Sequence, residues 1–451
     1  MAGRLVIVGL GPGDPGLRTV ATAEALAAAD RIILRTRIHP GVEDLADDPR
    51  VVDCDDLYAS LPSFDAVYAA VASRVVALVT SAEGMTVFAV PGNPWFGERT
   101  VSLVVDAARE HGVPTSVLGA VSFLDIVAQA VTADPLAEQW QLLDGAAISL
   151  AAAEQPFAGG LVVADPTRPC LVTQVFSTAV ASDVKAELAR IYPEEHPILV
   201  IDAAGVSGEE SLIACALYEL DRQPVGHLTS VLVPPQDSLD ASRSPQTLQR
   251  IIARLRAPGG CPWDRKQTHS SLRQAVIEEA YEVVDAIDAD DAENLAEELG
   301  DLLLQVALHA QIAEEDGAFT LEEVYAAVSE KLVRRHPHVF GDVLAETPGE
   351  VVKTWDAVKA EERAKAGKVE PAVQHPLDKL PRSMPTLERA QTLIAPRKGS
   401  RAAVTDDAAL DAAGATMLAA VESVVAAGVD PGQALERALR QRFAPGEGTA
   451  S

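Results

Sequence analysis

The amino-acid sequence predicts a multidomain protein in which an α/β domain is followed by all-α helical modules. Residues 1–233 alternate short runs of β-branched residues with alanine-rich helical stretches, a pattern typical of α/β domains. From residue 247 the apolar residues recur at helical spacing. Residues 234–246, rich in Pro, Ser and Asp, are predicted to be a linker. A length of 451 residues agrees with roughly two to four domains.

Seven strands and an opening helix are predicted in the α/β domain. The strands are the short apolar segments Leu5–Val8, Arg31–Leu34, Val87–Val90, Ser116–Leu118, Cys170–Thr173, Ile198–Ile201 and Thr229–Val233. The first strand runs into a glycine-rich turn, after which Asp14 and Pro15 suit the N-cap and the first position of a helix. This helix is predicted to extend to about Ala29.

The glycine-rich turn at Gly9–Gly16 formally contains the G-x-G-x-x-G pattern of dinucleotide-binding loops. Pro12 and Pro15, however, remove two of the backbone amides that such a loop uses to hold phosphates. The second predicted strand leads into Arg35–Arg37 without the acidic residue that binds a ribose. The pattern therefore argues against NAD as a cofactor.

Three segments of the α/β domain, Gly9–Pro15, Val90–Pro94 and Leu118–Asp125, resemble the motifs of the tetrapyrrole methylase family. Members of that family use S-adenosylmethionine. The resemblance implies that this cofactor binds at the strand ends, against Gly9, Gly11, Gly13, Asp14, Gly92 and Asn93. Asn93 stands where many of these methylases carry Asp, so the alternative is a scaffold that has kept the glycine turns.

Two acidic motifs in the second half of the chain predict a metal site. Glu279 and Glu282 lie three residues apart, as do Glu298 and Asp301, so each pair shares one helical face. Residues 288–291 are the plausible turn, and a rise of about 1.5 Å per residue then places the carboxylates within about 8 Å along the hairpin. Oxygen ligands select hard cations such as Mg²⁺ or Mn²⁺, and Mg²⁺ completes its shell with water and substrate phosphates.

The two motifs are informative only together. Asp and Glu outnumber Lys and Arg by 66 to 37, so either motif alone is typical of a solvated helix face. When both motifs lie beside one apolar seam, their carboxylates repel each other unless a cation neutralises the charge. The predicted seam consists of Ile277, Tyr281, Val284, Leu295, Leu299, Leu302 and Val306. Glu278 is either a further ligand, a base that orients water, or a solvent-facing residue.

Besides the acidic motifs, three segments of the helical region form a recognisable set: Gly260–Leu272, Lys331–Asp342 and Trp355–Glu362. Together these segments resemble the MazG nucleoside triphosphate pyrophosphohydrolases, and the predicted catalytic domain spans residues 247–363. The resemblance implies an all-α fold that dimerises and metal ligation by Glu279, Glu282, Glu298 and Asp301. It also implies Mg²⁺-dependent cleavage between the α- and β-phosphates of a nucleoside triphosphate, which yields the monophosphate and pyrophosphate.

Six further residues are candidates for binding the substrate: Lys331, Arg334, Arg335, Trp355, Lys359 and Trp263. The cations follow a predicted helix at Leu321–Lys331 and suit a departing pyrophosphate, although the helix dipole also favours basic residues there. Trp355 and Lys359, four residues apart, share a helical face. They are candidates for closing over the base and the phosphates of a bound nucleotide. Trp263 either stacks on a base or anchors a proline-rich turn.

The C-terminal region contains a weak internal repeat. Leu410–Val421 aligns with Leu295–Val306, and the positions of both metal ligands on that helix are occupied by Ala412 and Ala415. The region is therefore predicted to be a degenerate second module that packs as a structural or dimerisation element. A coincidence between two amphipathic helices is the alternative.

The remaining boundaries follow from composition. Residues 364–376 are predicted to be a second linker, residues 377–443 the degenerate module, and residues 444–451 a disordered tail. The chain holds four scattered cysteines and no C-x-x-C pair, which fits a reducing cytoplasm. Its net charge of −29 argues against duplex nucleic acid as a partner. No segment reaches the roughly 20 apolar residues of a membrane span.

The leading functional hypothesis is a cytoplasmic, Mg²⁺-dependent nucleoside triphosphate pyrophosphohydrolase that acts as a homodimer. Two hypotheses from other classes stay open. One is an S-adenosylmethionine-dependent methyltransferase of the tetrapyrrole type, in which the helical module serves dimerisation. The other is a sensor that binds nucleotides without turnover.

Overall fold

The computed structural model describes residues 3–81, 83–155, 164–365, 375–394 and 407–443. The chain forms two compact units, Met1–Gly317 and Ala318–Ser451. Most of the predicted linker 364–376 and all of the predicted tail 444–451 lie outside the described residues. Their structure stays a prediction.

The first unit begins with a parallel sheet of five strands, as expected for an α/β domain. The strands are β1 (Arg4–Gly9), β2 (Arg31–Leu34), β3 (Val51–Asp53), β4 (Met85–Val90) and β5 (Thr115–Leu118). Their spatial order is β3-β2-β4-β1-β5. The carboxyl ends of neighbouring β1, β4 and β5 therefore meet at one edge of the sheet.

Helices cover both faces of this sheet. They are α1 (Val20–Ala28), α2 (Asp55–Ser60), α3 (Phe64–Thr80) and α4 (Arg99–Glu110), and α5 (Phe123–Ala130) follows β5. Because side chains alternate along a strand, Leu5 and Ile7 of β1 pack in the core formed with α3 and α4. Val6 and Val8 enter the opposite core, which includes Leu26 of α1. Burial on both faces explains the continuous apolar runs of these strands.

A second sheet of five strands follows. Its strands are β6 (Gln141–Asp144), β7 (Cys170–Thr173), β8 (Pro197–Asp202), β9 (Ser211–Ala216) and β10 (Ser230–Val233), in the order β6-β7-β10-β8-β9. β6 and β7 pair parallel and the other pairs are antiparallel. Helices α6 (Gly145–Glu154) and α7 (Thr178–Leu188) cover one face. On the other face Val127 of α5 packs against Leu171 and Ile201.

All seven predicted strands are confirmed, but the predicted opening helix is wrong at its start. Pro15–Leu17 is a short 3₁₀ turn, and α1 begins only after Thr19, whose side chain accepts a hydrogen bond from the Thr22 amide. Asp14 makes no capping bond. Its carboxylate instead accepts a 2.5 Å hydrogen bond from the Ser207 hydroxyl, so a tertiary contact replaces the local one.

The second half is all-α, as predicted. The first unit ends with α8 (Pro245–Arg256), α9 (His269–Asp288) and α10 (Ala292–Glu315). The second unit contains α11 (Leu321–Arg335), α12 (Pro337–Phe340), α13 (Pro348–Lys365), α14 (Thr386–Ile394), α15 (Asp407–Ala426) and α16 (Pro431–Arg442). Among the described helices, no single one is long and apolar enough to cross a membrane, although α15 and α16 pass this test as a pair bent by 105°.

The segment 234–246, predicted to be a linker, is bonded to the α/β region. The Gln236 amide donates to the Pro166 carbonyl at 2.8 Å. The Arg243 guanidinium donates to the carbonyls of Ala189 and Tyr192. Ala241 is fully buried. These contacts fix the place from which α8 leaves the α/β region.

The C-terminal helices share a small core of their own. Leu377, Ala390 and Leu439 are buried together. Ala412 and Ala415 of α15, which align with Glu298 and Asp301 of α10, are exposed. The relation between α10 and α15 remains a prediction from the sequence.

Candidate metal site and basic cluster

Capping residues set the hairpin of α9 and α10. The Thr268 side chain accepts a hydrogen bond from the Ser271 amide at the start of α9, and Asp291 does the same for Asn294 at the start of α10. Between the helices, Asp290 has φ 55°, a left-handed conformation that Asp tolerates better than most residues. The predicted turn between the two acidic motifs is thereby confirmed.

The hairpin brings three predicted metal ligands together. Glu279 and Glu282 of α9 and Glu298 of α10 each offer a carboxylate oxygen, and these oxygens all lie within 4.8 Å of one another. Oxygens that bind one Mg²⁺ at about 2.1 Å are separated by about 3 to 4 Å. Small rotations of flexible glutamate side chains close that difference. We call these three residues the acidic triad.

The charges of the acidic triad oppose one another. Partial burial raises the pKa of Glu279, and the neighbouring carboxylates of Asp301, Glu282 and Glu298 raise it further. Burial also raises the pKa of Glu298, again with contributions from Glu282 and Asp301. A bound cation would offset this repulsion and favour the ionised forms. The donor set, all carboxylate oxygen, fits a hard divalent ion.

The other two predicted catalytic carboxylates occupy different places. Asp301 is half-buried, and its charge acts on both Glu279 and Glu298, which puts it beside the triad. Glu278 is exposed, and its carboxylate accepts a weak 3.4 Å hydrogen bond from Gln274. Asp301 therefore lies beside the triad, and the roles of Asp301 and Glu278 remain predictions.

The predicted apolar seam is only partly buried in this single chain. Tyr281, Val284, Leu299 and Val306 each expose 41 to 50% of their surface. The apolar residues that α9 and α10 do bury are smaller or lie elsewhere: Leu272, Ala286, Ala307, Leu308, Ala310, Ile312 and Ala313. The hairpin thus presents an apolar stripe beside its acidic triad.

A basic cluster lies where α13 passes the end of α11. Arg334 Nε donates to Glu362 Oε1 at 2.6 Å, and Arg335 Nη2 donates to Glu362 Oε2 at 2.7 Å. On α13 the Lys359 ammonium lies 4.2 Å from the centroid of the Trp355 ring, a cation–π contact. We call these five residues the basic cluster. It gathers four of the predicted substrate-binding residues and adds Glu362, which sequence reasoning missed.

The spacing along α13 carried a signal for Glu362. Trp355, Lys359 and Glu362 lie at positions i, i+4 and i+7, which share one helical face. Hydrogen bonds from Arg335 and Arg334 lower the pKa of the Glu362 carboxyl to about 2. The carboxylate is therefore fully ionised at neutral pH.

One detail of the cation positions differs from the sequence prediction. Lys331, Arg334 and Arg335 lie inside α11 rather than after it, because the helix continues to the residue before His336. The helix ends at Arg335 because the next residue, His336, precedes Pro337. A residue before a proline disfavours helical backbone angles. Lys331 is exposed, and Trp263 exposes 61% of its surface in the first unit. Their substrate contacts remain predictions.

The three motif loops of the α/β region meet at the carboxyl edge of the first sheet. Gly11 and Gly92 exchange backbone hydrogen bonds of 3.2 and 2.9 Å. A Cβ atom on Gly9 would approach the Gly92 carbonyl to 2.2 Å, and one on Gly13 would approach the Gly205 carbonyl to 2.4 Å. These contacts require glycine at both positions, whatever the loops bind.

Asn93 joins two of these loops. Its Nδ2 donates to the Ala120 carbonyl at 2.5 Å, and its Oδ1 accepts a 2.9 Å hydrogen bond from the Trp95 amide. The backbone N–H of Trp95 can only donate and the carbonyl of Ala120 can only accept, so the two bonds fix the orientation of the Asn93 side-chain amide. The Val90–Pro94 and Leu118–Asp125 loops are thus held together.

Comparison with protein families agrees with this division of the chain. Residues 4–221 match the family of Tetrapyrrole (Corrin/Porphyrin) Methylases, and residues 267–340 match the MazG nucleotide pyrophosphohydrolase domain. The second match contains the acidic triad, Lys331 and both arginines of the basic cluster.

One relative matches most of the chain, across both family regions. The uncharacterized protein YabN of Bacillus subtilis (strain 168) is 38% identical over 396 residues, which are 87% of this chain and 77% of that protein. The chain belongs to the MazG family. Its MazG domain is 54% identical over 120 residues to the nucleoside triphosphate pyrophosphohydrolase/pyrophosphatase MazG of Thermotoga maritima. That stretch covers 27% of this chain and 46% of the Thermotoga protein.

The methylase region of this MazG family member also resembles a solved structure. A uroporphyrin-III-C-methyltransferase from Thermus thermophilus covers 54% of this chain, with 98% of its own length, at a TM-score of 0.40 and 19% identity.

Proposed function

We propose that this protein is a Mg²⁺-dependent nucleoside triphosphate pyrophosphohydrolase. The observation that carries the proposal is the acidic triad, three carboxylates from two helices whose oxygens lie within 4.8 Å of one another. The match to the MazG domain and the name of the Thermotoga relative support it.

The residues of the chain have distinct roles in this reaction. Glu279, Glu282 and Glu298 would hold the metal, with Asp301 as the fourth ligand. Mg²⁺, or Mn²⁺ in its place, supplies Lewis acidity and lowers the pKa of a bound water. Glu278 is the candidate for orienting that water toward the α-phosphorus. Metal-assisted attack by water requires no covalent nucleophile on the chain.

The basic residues account for the leaving group. Lys331, Arg334 and Arg335 would neutralise the departing pyrophosphate, since phosphoryl transfer is accelerated by fixed positive charge. Trp355 would offer an aromatic face to the base, with Lys359 beside it for a phosphate, and Trp263 is a further candidate for stacking on a base. The products are the nucleoside monophosphate and pyrophosphate, as needed to remove unwanted triphosphates from the nucleotide pool.

A nucleotide panel tests the proposal. The full chain is incubated with ribo- and deoxyribonucleoside triphosphates and Mg²⁺, and pyrophosphate and orthophosphate are detected separately. We expect pyrophosphate and monophosphate in equal amounts and no orthophosphate. Orthophosphate as the main product would show a phosphatase instead, and binding without either product would show a sensor.

The apolar stripe beside the triad supports a homodimer formed through the helical module. A second copy would cover Tyr281, Val284, Leu299 and Val306, which a single chain leaves exposed. Sedimentation of the parental chain and of Val284→Glu tests this, with a monomer expected for the variant.

All four cysteines, each within the described residues, are free thiols, which supports a cytoplasmic protein.

A second candidate function belongs to the α/β region. The meeting of the Gly9–Pro15, Val90–Pro94 and Leu118–Asp125 loops at one sheet edge favours binding of S-adenosylmethionine there. Gly9, Gly11, Gly13, Asp14, Gly92 and Asn93 are the candidate contacts. Titration calorimetry with S-adenosylmethionine tests this function independently of nucleotide hydrolysis.

A further inference from the structure

Arg334 and Arg335 have an unusual arrangement for neighbours in a helix. Consecutive residues of an α-helix point about 100° apart, so their side chains do not share a face. Both guanidinium groups nevertheless reach one carboxylate, that of Glu362. Glu362 thereby draws together two charges that the helix directs apart and that repel each other.

The contacts leave part of each guanidinium available. Arg335 uses Nε and Nη2 for Glu362, and Arg334 uses Nε. Within the described part of the chain, the hydrogen bonds of these two side chains involve no other group. The Nη1 atom of Arg335 and both Nη atoms of Arg334 therefore remain free to donate to an anion. Arg335 and Glu362 are each about one-fifth exposed at their side chains, so this ion pair is partly shielded from water.

We propose that Glu362 is a positioning residue that holds Arg334 and Arg335 side by side for the phosphate tail of the substrate. This inference rests on the proposed pyrophosphohydrolase function and extends it to a residue outside the metal site. One edge of the Arg335 guanidinium is fixed by the carboxylate, and the other edge presents donors to the phosphates. Lys359, one turn before Glu362 on the same face of α13, adds a third positive charge to that place.

The alternative role for Glu362 predicts the opposite result. If the carboxylate only competes with phosphate for the arginines, its removal frees them and the substrate binds more tightly. If it positions them, its removal lets the two cations separate, and the substrate binds more weakly. The sign of the change in KM therefore separates the two roles.

The test compares four full-length proteins: the parental chain, Glu362→Gln, Glu362→Asp and Glu361→Gln. Glu361 is a matched control because it precedes Glu362 on α13, is well exposed and pairs with Lys365 at 2.7 Å. Pyrophosphate release gives kcat and KM. Calorimetry with a non-hydrolysable nucleoside triphosphate analogue and Mg²⁺ gives the dissociation constant without turnover.

For Glu362→Gln we expect KM and the dissociation constant to rise about tenfold, the size of one lost charge-assisted hydrogen bond. kcat should change by less than about threefold, because the water attack depends on the metal site. Glu362→Asp keeps the charge and should fall between Gln and the parental chain. Glu361→Gln should match the parental chain. A purely structural role would lower the amount of folded protein without this separation of KM from kcat.

The outcomes distinguish this inference from the function on which it rests. An unchanged or lower KM in Glu362→Gln overturns the positioning role while pyrophosphate release still supports the hydrolase. If no protein releases pyrophosphate but the analogue binds tenfold more weakly to Glu362→Gln, the hydrolase assignment fails and the positioning role stands. If the parental chain neither binds nor hydrolyses nucleotides, both are refuted.

Discussion

Glutamates of the acidic triad and of the basic cluster differ in their electrostatic surroundings. Around Glu279 and Glu298 the neighbours are carboxylates, and burial together with these charges raises their pKa values. Around Glu362 the neighbours are guanidinium groups, and they lower its pKa to about 2. The triad therefore gathers like charges, whereas the basic cluster contains its own counter-ion.

The largest effect is expected from Glu298→Gln, which breaks the triad. The amide keeps the shape of the side chain but removes one anionic ligand, so turnover should fall about a hundredfold or more. Initial rates of pyrophosphate release measure this, with circular dichroism to verify the fold. Glu297→Gln is the matched control, because that exposed neighbour lies outside the triad. Parental rates in Glu298→Gln would show that the ligands are wrongly assigned.

An intermediate effect is expected on thermal stability, and its sign should depend on the metal. In the presence of EDTA, Glu282→Gln removes a repelling charge and should raise the midpoint of unfolding above that of the parental chain. In excess Mg²⁺ the parental chain gains the free energy of metal binding, which the variant loses in part, so the order should reverse. Scanning calorimetry in both buffers checks this. The same order in EDTA and in Mg²⁺ contradicts metal binding by the triad.

The smallest effect concerns pH and the basic cluster. Because the folded-state pKa of Glu362 is lowered from its ordinary value of 4.5 to about 2, its ion pairs stabilise the folded chain above pH 4.5. That contribution is lost as the pH falls from 4.5 toward 2. Hydrogen exchange of α13 should therefore differ between the parental chain and Glu362→Gln at pH 7, and the difference should shrink at acid pH.

The contrast with the triad sharpens this measurement. Glu279 has a raised pKa, so without metal its ionised form disfavours folding at neutral pH and protonation relieves that cost. In EDTA, Glu279→Gln should therefore slow exchange of α9 at pH 7, with a smaller effect at acid pH. Equal behaviour of the two variants would mean that the two surroundings do not differ as described.

Local spacing predicted the parts of the structure that depend on neighbours in sequence. The hairpin of α9 and α10 followed from motifs with intervals of three residues and one polar turn. The strands β1 and β4, buried on both faces, were recognisable as apolar runs. The edge strands β3, β6 and β9 were not recognisable in the sequence. β3 has only three residues, and in β6 and β9 alternate side chains are partly buried while those between them are mostly exposed.

Features that depend on distant contacts could not be read from spacing alone. Asp14 suits a helix N-cap by local rules, yet Ser207, far along the chain, provides its hydrogen bond. The spacing on α13 placed Glu362 on the face of Trp355 and Lys359, but its ion pairs with Arg334 and Arg335 depend on the end of α11. In both cases the partner of the side chain lies on another element of the fold.

Asn93 illustrates how one amide can replace an ionisable group. The Nδ2 group of Asn93 donates a hydrogen bond to the Ala120 carbonyl. An ionised Asp at this position has no donor, so its carboxylate oxygen and the Ala120 carbonyl oxygen would be two acceptors facing each other. Asn93 therefore provides an uncharged link between neighbouring loops. At position 93, a ligand that enters this edge of the sheet meets a hydrogen-bonded amide instead of a carboxylate.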